Sequence, residues 1–538
     1  MAFIAVDMTP VLPGGKNGGA KILAIELLKS FHEMAVQDQF LILTASWNHE
    51  DLEILDGPNM RRSCVLTRQE PEPKTRHTRY APRFYRAMGR IRRYLRCFTK
   101  GQFPMGKSLA AQGVELLFCP FTAPSYAESN IPTVSVVLDL QHRELPQFFS
   151  LHEIGLRNDF MAKLTRKADR IICISEYTRK TVLKHLEIPP ERTHAVPISI
   201  QTRLSRPEAE KSVEYLKDFG VAEHPYMFYP ANFWPHKNHS MLLTAYGMFL
   251  ARNPDSPIDL VFTGALNGRE DVVKQAVMQM GLEKRVHFLG FVPEEKLAAV
   301  WFGCEFLIFP SLYEGFGIPV LEAMSIGKPV LCSDRTSLPE VAGDAALYFD
   351  PRKPEALVKC IEKITTDASL RSILVEKGWI RAGLFRPDDM TGQYLEIFKK
   401  AINDPGYVAN EIMGVFEDGW MGDKIVVVYA SGPPDRILEM KLEAPSWLPA
   451  RRVKVTLSED DKTLQRAGIR TGGEVVIRQV LPDRQGHITL SMTPTFNPSD
   501  YGMGDDLRNL SIICRECKLV LPNEEGIFDF SEMKGNRV

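Results

Sequence analysis

The sequence predicts two Rossmann-like, doubly wound α/β domains followed by an all-β, sandwich-like domain. Three observations carry this expectation. Strand-like runs in roughly the first four hundred residues are continuously apolar, as parallel strands covered on both faces require. They alternate with helical patterns, and the series restarts near residue 206, so two sheets should face each other across a cleft. After Asp404-Pro405-Gly406 the helical patterns stop, and strand runs separated by Pro, Gly and Asp take over.

Length and composition agree with this plan. At about 150 residues per domain, 538 residues suggest three or four units. An apolar fraction of 44% and a charged fraction of 25% exclude a disordered or fibrous chain. Basic and acidic residues number 66 and 67, so the even balance gives no sign of a general nucleic-acid binder. No run approaches the ~18 apolar residues of a membrane span. The start MAFIAVDMTP lacks the basic leader and apolar core of a signal peptide. Nine sparse cysteines, mostly in apolar runs, read as buried thiols in a reducing compartment. A cytoplasmic protein is expected.

In the first domain, residues 1–205, Phe3–Val6 is the opening strand, and a helix over Ala20–Met34 turns Ile22, Leu23, Ile25, Leu27 and Leu28 to the core. Phe40–Leu43, Leu116–Phe118, Val134–Leu138 and Arg170–Ile174 are the further strands. In the second domain, 206–385, the strands are Met227–Tyr229, Asp259–Thr263, Val286–Leu289, Phe306–Phe309, Pro329–Cys332 and Leu347–Phe349. Residues 415–521 hold Lys424–Tyr429, Arg452–Leu457, Glu474–Val480, His487–Met492 and Leu510–Leu521, and 522–538 read as a tail.

Ligands of doubly wound sheets bind beyond the carboxyl ends of the strands, so those loops are where chemistry belongs. The stretch Ser311-Leu-Tyr-Glu-Gly-Phe-Gly-Ile-Pro-Val-Leu-Glu-Ala-Met324 leaves a buried strand, passes a Gly-punctuated loop and opens a helix. Backbone N–H groups at such a helix start suit a phosphate, and Gly315 and Gly317 let a ligand approach the main chain. Glu314 and Glu322 straddle the turn, and carboxylates accept hydrogen bonds from sugar hydroxyls. Taken alone, they could equally be a helix-end charge and a solvated helix residue. Lys237, in Tyr229-Pro-Ala-Asn-Phe-Trp-Pro-His-Lys-Asn238, can neutralise a phosphate as a point charge. Pro13-Gly-Gly-Lys-Asn-Gly-Gly-Ala20 brings four glycines after the first strand and is not G-x-G-x-x-G, which argues against a dinucleotide enzyme. Val137-Leu-Asp-Leu-Gln-His142 and Ala168-Asp-Arg-Ile-Ile-Cys-Ile-Ser-Glu-Tyr-Thr178 close two further strands, with Ser175 as a helix cap.

Glu314 and Glu322 resemble the E-x7-E signature of retaining GT-B glycosyltransferases of the family-four type (glycosyl transferases group 1), and the other blocks follow in that family's order over about residues 3–400. The resemblance implies that Glu314 holds the donor hexose and Glu322 the ribose of its nucleotide. The amides of Gly315, Phe316, Gly317 and Ile318 would meet the diphosphate, with Gly18 and Gly19 beneath it and Lys237 beside it. Asn232 stands where the family usually carries an arginine, and Leu138 replaces the first histidine of an acceptor-side block, leaving Asp139 and His142 as catalytic candidates there. A helix near 386–403 would cross back to the first domain. Retention, independence of metal and the absence of any cofactor beyond the nucleotide-sugar co-substrate belong to the same implication, as does a glycan or lipid-linked acceptor in surface polysaccharide synthesis. Subgroup resemblance points to mannose. The rival reading is a non-catalytic glycan- or partner-binding protein on a degenerate transferase scaffold.

Between Lys74 and Lys100 lie ten Lys/Arg and no Asp or Glu, with Phe84, Met88, Ile91, Leu95 and Phe98 in a helical stripe. Such a helix suits an anionic membrane surface, which would make the protein peripheral at the inner face of the cell membrane, or a polyanionic acceptor. A solvated helix packed on the first domain fits the pattern equally well. The lone Cys514-x-x-Cys517 lacks the second pair a zinc site needs.

Overall fold

The computed structural model describes residues 1–13, 17–66, 108–128, 131–265, 268–403, 411–416, 418–429, 435–459, 462–482, 486–501, 508–521 and 528–529. The basic segment Lys74–Lys100 and the loop glycines Gly14 and Gly15 lie outside these residues. Two compact units divide the chain: Met1–Tyr126 with Thr133–Asp404, and Pro405–Val538 with Ala127–Pro132.

The first unit holds two parallel sheets. One is built from β1 (Phe3–Asp7), β2 (Gln39–Ala45), β3 (Met60–Leu66), β4 (Leu116–Cys119), β5 (Thr133–Val137), β6 (Arg170–Cys173) and β7 (Thr193–Ala195), in the order 3-2-1-4-5-6-7. The other is built from β8 (Tyr226–Pro230), β9 (Asp259–Thr263), β10 (Val286–Phe288), β11 (Phe306–Phe309), β12 (Val330–Ser333) and β13 (Leu347–Phe349), in the order 10-9-8-11-12-13. Every residue of β4, β5, β9, β11 and β12 is buried. That is why their sequences run apolar without alternation: helices cover both faces. Each order reverses once, between β1 and β4 and between β8 and β11, and these reversals open the crevices where such sheets take ligands.

The helix Gly19–Met34 buries Leu23, Ala24, Leu27, Leu28 and Phe31, one face at helical spacing. Against it lies Pro387–Asn403, the helix expected to cross back: Tyr394 and Phe398 meet Phe31 at ring-centroid distances of 6.2 and 5.5 Å, and Phe118 of β4 at 5.9 and 5.0 Å. The chain thus leaves the second sheet and ends this unit on the first.

The second unit is a two-sheet antiparallel sandwich. Strands β14 (Glu411–Val415), β15 (Met421–Tyr429), β20 (Gly486–Thr493), β17 (Arg452–Glu459) and β18 (Lys462–Arg470) form one sheet. The other contains β19 (Gly473–Val480), β16 (Ile437–Ala444), β21 (Ile513–Val520) and β22 (Phe528–Asp529). Alternate residues point inward, Leu438, Met440, Leu442 and Ala444 from one sheet and Val453, Val455 and Leu457 from the other, into a single core.

Six strands differ from the sequence expectation. β3 and β18 carry arginines or lysines through partly exposed edge positions, β7 is three residues long, and β16, missed from the sequence, alternates charged with apolar side chains at the period of two of a half-buried strand. β14 begins before the expected boundary at 415. Phe528–Asp529 pairs with β21, so the stretch read as a tail contributes a strand. Cys64, Cys119, Cys173, Cys304, Cys332 and Cys360 are free thiols, and no helix among the described residues is long and apolar enough to cross a membrane.

Asp7, at the carboxyl end of β1, is buried: Oδ1 accepts from Thr9 N at 3.0 Å and Thr9 Oγ1 at 2.6 Å, while Oδ2 has no hydrogen-bond partner. Burial outweighs both bonds and pushes its carboxyl up to about 6. A raised acid stabilises the fold most when protonated, so this contribution is complete below about pH 4 and lost as pH rises through 6, a swing of about 3 kcal/mol. Urea unfolding of Asp7→Asn should therefore lose less stability between pH 4 and pH 7 than the parent chain; equal losses would contradict the assignment.

Candidate active site

The loops after β8 and β11 meet at the second sheet's reversal. Lys237 sits in the turn Pro235–Lys237, held by Tyr229 OH, which donates to its carbonyl at 2.7 Å, and by Leu312 N, which donates to the His236 carbonyl at 2.8 Å. Its Nζ reaches Glu314 Oε1 at 2.6 Å and lies 5.4 Å from the Phe309 ring centroid. Both charged side chains are mostly shielded, at 18% and 12% exposure. An ion pair so far removed from water is stronger than a surface one and remains poised for exchange with a ligand charge.

The Glu314–Gly317 turn is fixed by its own backbone. Glu314 N donates to Thr336 Oγ1 at 3.1 Å, and Ser337 Oγ donates to the carbonyls of Glu314 and Phe316 at 3.0 and 2.8 Å. Thr336 has φ 58°, a left-handed conformation unusual for a β-branched residue. Gly317 adopts φ 113°, and a Cβ there would lie 2.6 Å from Leu338 Cδ2. The helix that follows, Ile318–Ser325, starts with no side-chain cap and no acid in its first turn. Pro319 has no N–H and Val320 N donates to the Gly317 carbonyl at 2.9 Å, so the amides of Gly317 and Ile318 are the ones left for an anion.

The first sheet closes on this turn from the other side. A Cβ on Gly315 would stand 1.9 Å from the Leu138 carbonyl oxygen after β5, so only glycine permits the approach. The Gly315 carbonyl accepts from Ser175 Oγ at 2.6 Å and Thr178 Oγ1 at 3.0 Å. Glu340 accepts from the amides of Glu176 and Tyr177 at 2.7 and 2.8 Å, capping the helix Glu176–His185 from the opposite half. Ser175 is the expected helix cap, accepting from Thr178 N at 3.0 Å, and in addition a clip between the two halves.

The remaining sequence candidates fall around this junction. Asn232 accepts from Ala265 N at 2.7 Å, and its Nδ2 lies 3.9 Å from where a Gly18 Cβ would be. A Cβ on Gly19 would stand 3.1 Å from Ile318 Cδ1. Phe316 turns its ring into the core against Phe385 and offers only main chain. Asp139 accepts from Gln141 N at 2.9 Å and lies 3.8 Å from Arg157. His142 is 1% exposed, with no well-formed hydrogen bond at either ring nitrogen and Asn158 as its polar neighbour. Burial, with the Arg157 charge adding to it, pushes His142 down to about 4, so the ring is neutral near pH 7.

Glu322 does not share the surroundings of Glu314. It is 2% exposed and takes Arg203 Nε and Nη2 on Oε1 at 2.8 and 2.6 Å, while Arg203 Nη1 binds Glu294 at 2.7 Å. Burial raises its carboxyl above the usual range, and the Arg203 charge opposes that rise. Arg203 lies in the segment joining the two halves, where no spacing or motif marks it. Among the described residues no cluster of His, Cys, Asp or Glu could hold a metal ion.

Two facing Rossmann-like sheets with an acid, a lysine and an uncapped helix start at their junction define the GT-B class. Residues 17–204 match the model described as Glycosyltransferase Family 4, and residues 215–379 the model described as Glycosyl transferases group 1. The chain is 32% identical over 266 residues to O-antigen chain mannosyltransferase B of Escherichia coli, covering 49% of this chain and 70% of that protein. It is 29% identical over 221 residues to the serotype-specific mannosyltransferase WbdA of Escherichia coli, covering 40% of this chain and 27% of that protein. Two solved structures share the fold. HepE of Anabaena, in complex with UDP and glucose, has a TM-score of 0.56 at 18% identity over 74% of this chain and all of that one. WaaG, a glycosyltransferase involved in lipopolysaccharide biosynthesis, has a TM-score of 0.55 at 15% identity over 73% of this chain and 99% of that one. The chain belongs to the group 1 glycosyltransferases.

Removing Arg203 leaves the buried Glu322 charge without a cation. Arg203→Ala should cost about 3–5 kcal/mol in urea unfolding, and adding Glu322→Gln should restore part of it. A single variant as stable as the parent chain would contradict the buried pair.

Proposed function

We propose that the protein transfers a hexose, mannose on the names of its relatives, from a nucleotide-sugar to a glycan or lipid-linked acceptor with retention, in surface polysaccharide synthesis. The observation that carries this reading is the Lys237–Glu314 pair beside the uncapped start of Ile318–Ser325. A donor diphosphate entering between them would draw Lys237 Nζ away from Glu314. The released carboxylate would then be free to accept hydrogen bonds from the hexose. The amides of Gly317 and Ile318 complete the anion site, and Gly18, Gly19 and Asn232 border it. Glu322, held by Arg203, is the acceptor for ribose hydroxyls.

In the reaction, the bond from the anomeric carbon to the phosphate oxygen breaks, and its electron pair leaves with the phosphate. Lys237 and the helix amides stabilise the charge that develops on that oxygen, and such preorganised donors give the largest share of catalysis. The acceptor hydroxyl bonds to the same face of the sugar, and its proton passes to the departing phosphate, so configuration is kept without a protein nucleophile. His142, neutral near pH 7, could hydrogen-bond a sugar hydroxyl once the residues that cover it move, while Asp139 borders the acceptor side. Closure of the two halves would exclude water and limit donor hydrolysis.

Incubation with GDP-mannose and a mannosylated acceptor should yield an α-linked product by NMR, and chelation with EDTA should leave turnover unchanged. Lys237→Met and Glu314→Gln should each lower kcat by about 100-fold or more while the melting temperature stays near that of the parent chain. A β-linked product would end the retaining reading. Loss of activity on chelation, restored by magnesium, would end the metal-independent one. Binding of glycan without turnover of any nucleotide-sugar would favour a non-catalytic protein.

A further inference from the structure

The β unit gathers four aromatic rings at one end. The start of β15 lies beside the end of β20, with Lys424 opposite Ser491, and the start of β17 lies beside it too, with Lys454 opposite Thr493. The described loop residues 416, 418–420, 445–451, 494–501 and 508–512 therefore cluster there. They bring Trp420, Trp447, Phe496 and Tyr501 together around Phe496, whose ring centroid is 5.8 Å from Trp420, 5.9 Å from Trp447 and 6.2 Å from Tyr501, all edge-to-face. Trp420 and Trp447 are 5.4 Å apart.

Phe496 is buried and serves as the anchor, whereas Trp447 and Tyr501 are 49% and 55% exposed. Beside Trp420, Arg508 forms a two-pronged pair with Asp418, at 2.7 and 3.2 Å, and stacks over Phe416 at 4.7 Å. Among the described residues, the other large apolar side chains exposed on this unit are Val476 and Val480, both on the edge strand β19. The exposed apolar surface of this loop cluster is thus aromatic. Rigid rings present flat faces to the C–H faces of a pyranose at small entropic cost. The Asp418–Arg508 pair, already neutralised internally, offers hydrogen bonds without net charge, which suits a neutral polyol over a phosphate-bearing polymer.

We propose that this loop cluster is a second carbohydrate site, separate from the transfer site, that binds a neutral glycan chain through Trp447 and Tyr501 with the Asp418–Arg508 pair bonding ring hydroxyls. That the glycan is the enzyme's own growing product rests on the function proposed above. Tethering the product on the same chain would raise its effective concentration at the enzyme.

Native electrophoresis of the full chain through gels containing α-mannan, dextran, laminarin or galactan tests it. At least one polysaccharide should retard the protein. Trp447→Ala with Tyr501→Ala should weaken that affinity by about tenfold, Trp447→Phe should retain most of it, and Glu314→Gln should retain all of it. Retardation by none of the four would overturn the proposal. So would retardation that survives loss of both rings but vanishes in Glu314→Gln, or a ring-dependent change of mass in solution, which would make the patch a contact between copies. Ring-dependent retardation without turnover of any nucleotide-sugar would leave this site standing and remove the catalytic reading alone.

Discussion

The absence of a single methyl group at position 315 sets the separation of the two parallel sheets. Main chain meets main chain there, Gly315 against the Leu138 carbonyl, and no other residue type leaves room. Once that contact is made, the neighbouring groups have little freedom. Ser175 and Thr178 bond the Gly315 carbonyl, and Leu140 N donates to Tyr313 OH at 3.4 Å. Glu314, one residue away, is thereby delivered to Lys237. Position, more than the identity of any one charged group, is what the architecture supplies, as electrostatic preorganisation requires.

The two acids of the motif have been put to different uses by burial. Glu314 is paired with a lysine on the turn Pro235–Lys237, and both side chains keep some contact with solvent. Glu322 is sealed beneath, with an arginine that also holds Glu294. A flexible ammonium is easily surrendered to an incoming diphosphate, whereas a guanidinium bonded on several sides is not. The contrast leaves Glu314 with a partner it can exchange and Glu322 with one it cannot.

Much of this was legible in the residues alone. Asp259–Thr263 and Phe306–Phe309 coincide with their strands because burial on both faces leaves an unbroken apolar run. β18 and β3 were not, since both are edge strands whose partly exposed positions carry lysine or arginine; β16, with an apolar residue at every second position, was readable and was missed. At the site, Lys237, Glu314 and the glycines announce themselves by spacing. Arg203, Glu294 and Glu340 do not, because each acts on a residue far away in sequence, and only the folded topology brings such partners together. Ser175 was readable as a cap by its local role alone; its second bond crosses to the other half.

Glu340 has a consequence for how this molecule can be taken apart. It supplies from one half the acceptor that satisfies the first amides of a helix in the other. A hybrid that borrows the second half from a relative lacking an acid at that place would strand two backbone donors and loosen the seam. Shuffling specificity between members of the family is therefore better done by exchanging the loops along the crevice than by swapping whole lobes.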